Sequence, residues 1–179
     1  MKYYNLRRGG EETKYPDPEL FGEWENESLW MNEWENRNLK LPVTMTVKNK
    51  YAPDDYPLAD SNLISGKFLK IVRELNTDFE ALPTQLYYKG KDPVWDIYYS
   101  MIFPEYNILN MDKSEYEYFE GVLDLLGKVV LDKGKLSDIH NNIFAMKEKS
   151  IYIICTETAK DMIETAGIKG VRFTELPVE

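Results

Sequence analysis

The sequence predicts an α+β fold, in which a mixed, strand-rich sheet carries two capped helices from an internal strand-helix-strand duplication. Two stretches support this prediction, one near residues 61–83 and one near residues 151–178. In each stretch a short apolar run precedes a hydroxyl residue, Ser65 or Thr156, of the type that caps helices. Apolar residues recur three, six, seven and ten positions later, which places them on one face of a helix.

The ends of the two predicted helices correspond as well. Eleven positions after the hydroxyl residue stand Asn76 and Gly167, the residue types that best end a helix in the left-handed conformation. Both stretches then reach the pattern Phe-x-x-Leu-Pro, at residues 79–83 and 173–177, where we expect a returning strand. We interpret the correspondence as an internal duplication.

In the rest of the chain, strands are predicted from runs of β-branched and aromatic residues, and loops from the turn residues between these runs. With 179 residues, we expect one domain over 1–179, in which residues 1–58 form an N-terminal extension of that domain. The segment 51–60, with two prolines and three aspartates, is the predicted linker. Further strands are predicted at 2–8, 41–50, 85–89, 94–103, 127–131 and 142–146, and residues 106–111 form another short apolar run.

The charge balance restricts the kind of partner. There are 31 acidic and 22 basic residues, and the net charge is −9. Such a surface repels phosphate backbones and anionic lipids, so we expect no nucleic-acid and no membrane partner. The start of the sequence lacks the apolar segment of a signal peptide, and no apolar run is long enough to span a bilayer. A single cysteine excludes an intrachain disulfide, and together these observations predict a cytoplasmic protein.

Catalytic and metal-binding patterns are weak. Cys155 follows a predicted strand at the mouth of a helix, where a thiol can become a nucleophile. In the duplication, however, it aligns with Ile64, which predicts a small buried apolar residue. The one histidine, His140, lies in a polar stretch, and one histidine with one cysteine cannot build a usual zinc site. We therefore predict no catalytic residue, no metal and no cofactor; the alternatives are a hydrolase or acyltransferase that uses Cys155, and a small-ligand-binding domain.

Candidate partner-binding residues lie in the N-terminal third. Tryptophans alternate with glutamates in one segment, and this combination suits a basic partner. The competing interpretation is that the tryptophans pack in the core and the glutamates face water. A second candidate is an acidic loop that is more simply explained as solvated than as a metal site. The predicted contact residues are Glu23, Trp24, Glu27, Trp30, Glu33 and Trp34, then Asp54, Asp55 and Tyr56.

Several C-terminal motifs resemble one bacterial family. They are the strand pattern at Asn142–Met146, the strand that closes in Thr156-Glu157, and the run Ala166–Phe173. The stretches Leu63–Ser65 and Tyr106–Asp112 also fit. Together these motifs resemble immunity protein family eleven of the polymorphic toxin systems, over roughly residues 59–176. At the position of Cys155, members of this family more usually have an apolar residue.

The resemblance implies fold more directly than function, because each motif concerns packing or capping. It implies a small cytoplasmic protein that binds and neutralises a cognate bacterial toxin stoichiometrically, without catalysis. The acidic charge agrees with a basic toxin as the partner. The sequence leaves open a homodimer formed through an exposed strand edge.

Overall fold

The computed structural model describes residues 1–9, 22–24, 42–47, 54–56, 62–88, 92–93, 97–125 and 127–179. Over these ranges the chain is a mixed, strand-rich α+β structure, as predicted. The described part contains two larger sheets, a separate hairpin and three helices. The first sheet consists of β1 (Tyr3–Arg8), β8 (Glu105–Tyr106), β11 (Ile143–Met146), β12 (Ile153–Thr156) and β13 (Val171–Leu176).

The first sheet has the order β13-β1-β12-β11-β8. β1 pairs antiparallel with β12 on one side and with β13 on the other, so that Leu6 lies between Ile153 and Phe173. Residues 3–6 are all buried, since β1 is a central strand of a sheet that is covered on both faces. The N-terminal strand is therefore an integral part of the sheet.

The second sheet has the order β2-β3-β5-β7-β4, and β6 pairs with β5. β3 and β5 run parallel, with Met45 opposite Leu86, whereas β7 is antiparallel to both of its neighbours. The predicted strands at 41–50 and 94–103 are confirmed over part of their length, and the strands predicted at 79–83 and 85–89 form one continuous strand, β5. The strands are β2 (Gly22–Trp24), β3 (Val43–Val47), β4 (Leu63–Ile64), β5 (Glu80–Tyr88), β6 (Asp92–Pro93) and β7 (Tyr98–Ile102).

The two helices of the predicted duplication are α1 (Gly66–Glu74) and α3 (Glu157–Thr165). Each has nine residues, and each begins after the predicted hydroxyl cap. Ser65 Oγ accepts from Phe68 N at 3.1 Å, and Thr156 Oγ1 accepts from Ala159 N at 3.3 Å. These bonds satisfy one of the free amide groups at each helix start.

Of the two predicted left-handed helix ends, one is confirmed and the other is wrong. Gly167 adopts the left-handed conformation after α3, with φ of +61°. Asn76 does not, because the residue before it, Leu75, is already extended, with φ of −81° and ψ of 144°, whereas the corresponding Ala166 keeps a helical conformation. The buried side chain of Leu75 joins the core in this conformation, and that packing replaces the expected left-handed cap.

Both strand-helix-strand units have the same strand arrangement. β4 and β5 lie on either side of β7, and β12 and β13 lie on either side of β1, with antiparallel pairing in every case. The duplication itself stays an interpretation, which the shared arrangement supports beyond the sequence pattern.

Two hydrophobic clusters cover the faces of the first sheet. Tyr4, Leu6 and Cys155 face α1, α3 and residues of the second sheet, including Met101. Tyr3 and Phe144 face the opposite cluster, which is formed by residues between 106 and 139. Successive residues of β1 thus contribute to different clusters, as the alternation of side chains along a strand requires.

The region 127–139 differs from its prediction. Residues 127–131 form no ladder in the described part of the chain, and Leu131 makes only isolated bridges to Leu109 and Val178. Val129 and Val130 are nevertheless buried, so packing explains the apolar run. The segment after it is the short helix α2 (Lys133–Leu136), capped by the Asp132 carboxylate.

Candidate functional site

A β-hairpin that was not predicted from the sequence carries the most exposed aromatic side chains of the described chain. It consists of β9 (Tyr116–Phe119) and β10 (Val122–Leu125). Glu120 and Gly121 connect the strands with φ of +50° and +82°. Positive φ at both central residues is the mark of a type I′ turn, whose twist matches that of the paired strands.

One face of this hairpin is anchored to the second hydrophobic cluster. Leu123 is buried, and Tyr116 and Leu125 pack against the cluster beside it. Lys149 Nζ donates to the Leu123 carbonyl at 3.2 Å and to Asp124 Oδ1 at 2.9 Å. This bond to Lys149, and next the attraction of its charge, lowers the pKa of the Asp124 carboxyl. The base of the hairpin is therefore fixed by packing and by a cation.

The tip of the hairpin is apolar and open to solvent. Phe119 and Val122 are cross-strand partners and are 67% and 65% exposed, and Tyr118 is 62% exposed. Their exposure is costly in water, since burying such side chains stabilises a protein by about 1.5–3 kcal/mol each. Exposed aromatic residues of this kind are typical of surfaces that bind another protein.

Carboxylates surround this apolar tip. Glu117 lies directly opposite Asp124 in the register, and Glu120 stands in the turn. From Glu115 to Leu125 the sequence has four acidic and no basic residues. The aromatic-acidic hairpin (residues 115–125) therefore combines apolar exposure with an excess of acidic residues, and a basic partner would complement both features.

Among the tryptophan and glutamate residues that were predicted to contact a partner (the tryptophan-acid residues), only two lie within the described ranges. Glu23 and Trp24 belong to β2, at positions opposite Thr46 and Met45 of β3. Glu27, Trp30, Glu33 and Trp34 lie outside the described residues. Their role as contact residues stays a prediction.

The predicted acidic loop is placed inside the molecule. Asp54 and Tyr56 are only 3% and 2% exposed, so the expectation of a solvated linker is wrong for these residues. Tyr56 OH donates to Asn62 Oδ1 at 3.1 Å, and its ring packs edge-on against Phe68. Buried side chains of this kind cannot reach a partner without a change of structure.

Hydrogen bonds of Asp55 hold residues 54–56 in place. Its carboxylate accepts from Ser65 Oγ at 2.6 Å and from Lys169 N at 2.9 Å. Its own carbonyl accepts from Ser65 N at 2.8 Å. Residues 54–56 therefore connect the start of α1 with the turn before β13, which belong to the two halves of the proposed duplication.

Cys155 lies in β12 and is completely buried. Burial raises the pKa of its thiol far above the ordinary value, and the nearby Lys160 lowers it only slightly in comparison. The thiolate is the nucleophilic form, so the environment opposes the activation that a catalytic cysteine needs. The expectation of a buried apolar role agrees with this position.

Two further kinds of site are absent from the part of the chain that the structure describes. Its residues contain no group of three His, Cys, Asp or Glu side chains that is placed to hold a metal ion. Over the same ranges, no helix is both long and apolar enough to cross a bilayer.

The fold and the hairpin define a strand-rich α+β chain whose exposed aromatic-acidic surface suits protein binding. The chain belongs to the immunity protein family, Imm11, whose model matches residues 5–177. The match is longer than the resemblance over roughly 59–176, and it includes most of β1. A search of curated proteins found no match to the chain.

Proposed function

We propose that this protein neutralises a cognate bacterial toxin by binding it stoichiometrically in the cytoplasm, without catalysis, and that the toxin is basic. Membership of an immunity protein family supports the toxin as the partner. The observation that carries the mode of action is the aromatic-acidic hairpin, an exposed apolar tip ringed by carboxylates. The net charge of −9 supports a basic partner, because opposite charges attract the two proteins before contact.

The hairpin has the geometry of an inserted contact element. Its turn is tight, its base is held by Lys149, and its tip projects Tyr118, Phe119 and Val122. A fixed element loses little conformational entropy on binding, so more of the burial energy contributes to affinity. The toxin should therefore supply an apolar pocket rimmed by lysine or arginine.

The tryptophan-acid residues remain part of the proposal. Glu23, Trp24, Glu27, Trp30, Glu33 and Trp34 combine the same residue types as the hairpin, so a second contact region of similar chemistry is proposed there. Asp55 is kept as a secondary candidate, whereas the burial of Asp54 and Tyr56 favours a structural role for both. A homodimer stays an alternative, with the outer edge of β13 as its proposed contact.

The proposal is tested with the toxin that co-purifies with the tagged protein from its native host. Cells that express this toxin are protected by the wild-type protein, and protection is scored as colony number. The variant Phe119→Ser/Val122→Ser should fold normally, because both side chains are exposed. It should bind the toxin at least about tenfold more weakly and protect poorly, since the apolar contact is lost.

Ile151→Ser is the matched control, since Ile151 is 44% exposed and lies outside the hairpin. It should bind and protect like the wild type. Unchanged toxin binding by a folded Phe119→Ser/Val122→Ser variant would contradict the hairpin as the contact. If no toxin co-purifies and no protection is found, the neutralising function itself is wrong.

A further inference from the structure

A second surface of the molecule has the opposite charge to the hairpin. A cleft of about 870 Å³ lies between α1 and the beginning of β7. Its volume is within the range of small-molecule and peptide pockets. Three cations of α1 line it at intervals of three residues, Lys67, Lys70 and Arg73, and such spacing places them along one side of the helix.

Two of these cations are available to a ligand. Lys67 is already engaged, because its Nζ donates to the Gly167 carbonyl at 2.7 Å and lies 3.8 Å from Asp55. Lys70 and Arg73 are exposed, and neither forms an ion pair within the described residues. Asp55, the acidic residue of the lining, has its charge offset by Lys67 and its oxygens satisfied by Ser65 and the backbone of Lys169.

Besides Ser65 and Gly66 at the start of α1, the remaining lining is apolar or aromatic. Ile97 is 39% exposed, Tyr99 is half-buried, and the buried Leu69 lies between the helix and the strand. A ligand that fills the cleft therefore meets apolar surface and cationic groups together. An inorganic anion alone would pair with the cations but leave the apolar surface exposed to water.

We propose that this cleft binds a short acidic peptide segment of a protein partner. Carboxylates of the peptide pair with Lys70 and with the forked guanidinium of Arg73, and an apolar side chain packs against Ile97 and Tyr99. Nucleic acid is disfavoured, because two free cations release few counterions and the molecule as a whole carries a charge of −9. The ligand differs from the proposed toxin contact in charge and in site.

The test uses a fluorescently labelled hexapeptide in which aspartate alternates with leucine, titrated with the full chain and followed by anisotropy. The wild type should bind it, and the peptide with asparagine in place of aspartate should bind at least about tenfold more weakly. Lys70→Glu/Arg73→Glu should weaken binding of the acidic peptide at least about tenfold, and Ile97→Ser should weaken it less.

Lys133→Glu/Lys147→Glu is the matched control. Both lysines are exposed and lie outside the cleft, and each double variant changes the net charge from −9 to −13, a difference of four. The control should bind like the wild type. Where Lys70→Glu/Arg73→Glu fails to fold, Lys70→Gln/Arg73→Gln replaces it and should weaken binding in the same direction.

Three outcomes would overturn the proposal. They are no binding of the acidic peptide at millimolar concentration, an equal loss in the cleft variant and the control, and displacement of the peptide by inorganic phosphate or a single-stranded oligonucleotide. The second outcome would indicate general electrostatics, and the third a site for phosphate groups. None of them bears on toxin neutralisation, which is measured separately by cell survival.

Discussion

Gly170, in the turn before β13, lies against residues 54–56. It has φ of +80°, and a Cβ at this position would lie 2.6 Å from Cβ of Asp54 and 3.1 Å from the Tyr56 carbonyl oxygen. Gly9 N also donates to its carbonyl, at 3.0 Å. A side chain is therefore excluded both by conformation and by space.

Gly170→Ala should lower the free energy of unfolding more than Gly167→Ala. Both positions have positive φ, which costs alanine about 1–2 kcal/mol. Only Gly170 is also crowded, and overpacking adds typically about 1–3 kcal/mol. A Cβ at Gly167 would meet no heavy atom of the described residues within 4 Å, so this position isolates the conformational cost. Urea unfolding of the two variants measures the difference, and equal losses would contradict the close packing of residues 54–56.

Cys155 should be unreactive in the folded protein. Iodoacetamide, monitored by mass spectrometry at neutral pH, should leave the native thiol unmodified for hours and alkylate it rapidly in denaturant. The reason is burial, which blocks access and raises the pKa of the thiol. Rapid native alkylation would reopen the hydrolase or acyltransferase alternative.

Residue-level prediction from the sequence works where local chemistry decides and fails where tertiary contacts decide. Ser65 and Thr156 are recognisable as caps because each side chain accepts a hydrogen bond from a backbone N–H only three residues later in the chain. Asp54 looks like a solvated acid in the sequence. Its burial depends on close packing against Gly170, which is far along the chain, and no local sequence pattern predicts the contact between these two residues.

At the scale of elements, the hairpin depends on Lys149. Because its bond to Asp124 lowers the pKa of that carboxyl, the carboxyl favours the anchored hairpin at neutral pH. This contribution is complete above the pKa of the unfolded chain, and it is lost as the pH falls through the lower pKa of the folded chain. The anchor should therefore hold at neutral pH and weaken only in acid.

Lys149→Met should return the pKa of Asp124 towards its ordinary value. Carbon-detected NMR of the Asp124 carboxyl over an acid titration measures the change. Lys147→Met is the control, because Lys147 is exposed and bonds to Tyr106 through its backbone N–H, which the substitution keeps. An identical titration of Asp124 in the wild type and Lys149→Met would show that the ion pair is absent in solution.

Elements with a strong periodic pattern were predictable, whereas the hairpin was missed. α1 and α3 combine helical periodicity with a cap, β1 is an aromatic and then basic run stopped by glycine, and β11 is a short apolar run. The hairpin also has a local signal, since alternating Tyr116, Tyr118 and Leu123 flank the Glu120-Gly121 turn. Its glutamates obscured that signal, because glutamate is uncommon in strands.

At the scale of the whole molecule, the charge distribution separates two kinds of surface. The chain carries −9 overall, the hairpin tip is acidic and apolar, and the α1 cleft is basic. The overall charge follows directly from the sequence. The location of each surface does not, because strand order brings together residues that are far apart in the chain.

The association rate with the proposed basic toxin should fall at least about tenfold as sodium chloride rises from about 0.05 M to about 0.5 M. The dissociation rate should change little, because it reports short-range contacts. Stopped-flow fluorescence measures both rates. An association rate that is independent of salt would remove long-range attraction from the proposal while leaving the apolar contact of the hairpin intact.

The central position of β1 also has a consequence for biosynthesis. Its neighbours β12 and β13 are translated on the order of 150 residues later, which takes roughly 7–30 s at typical rates of elongation. Until then the edges of β1 have no native partners, so β1 joins the first sheet only after residues 153–176 have been made. Under the proposed function, a chain would neutralise a toxin only after residues 153–176 have folded onto β1, and a cell under attack would depend on protein that is already folded.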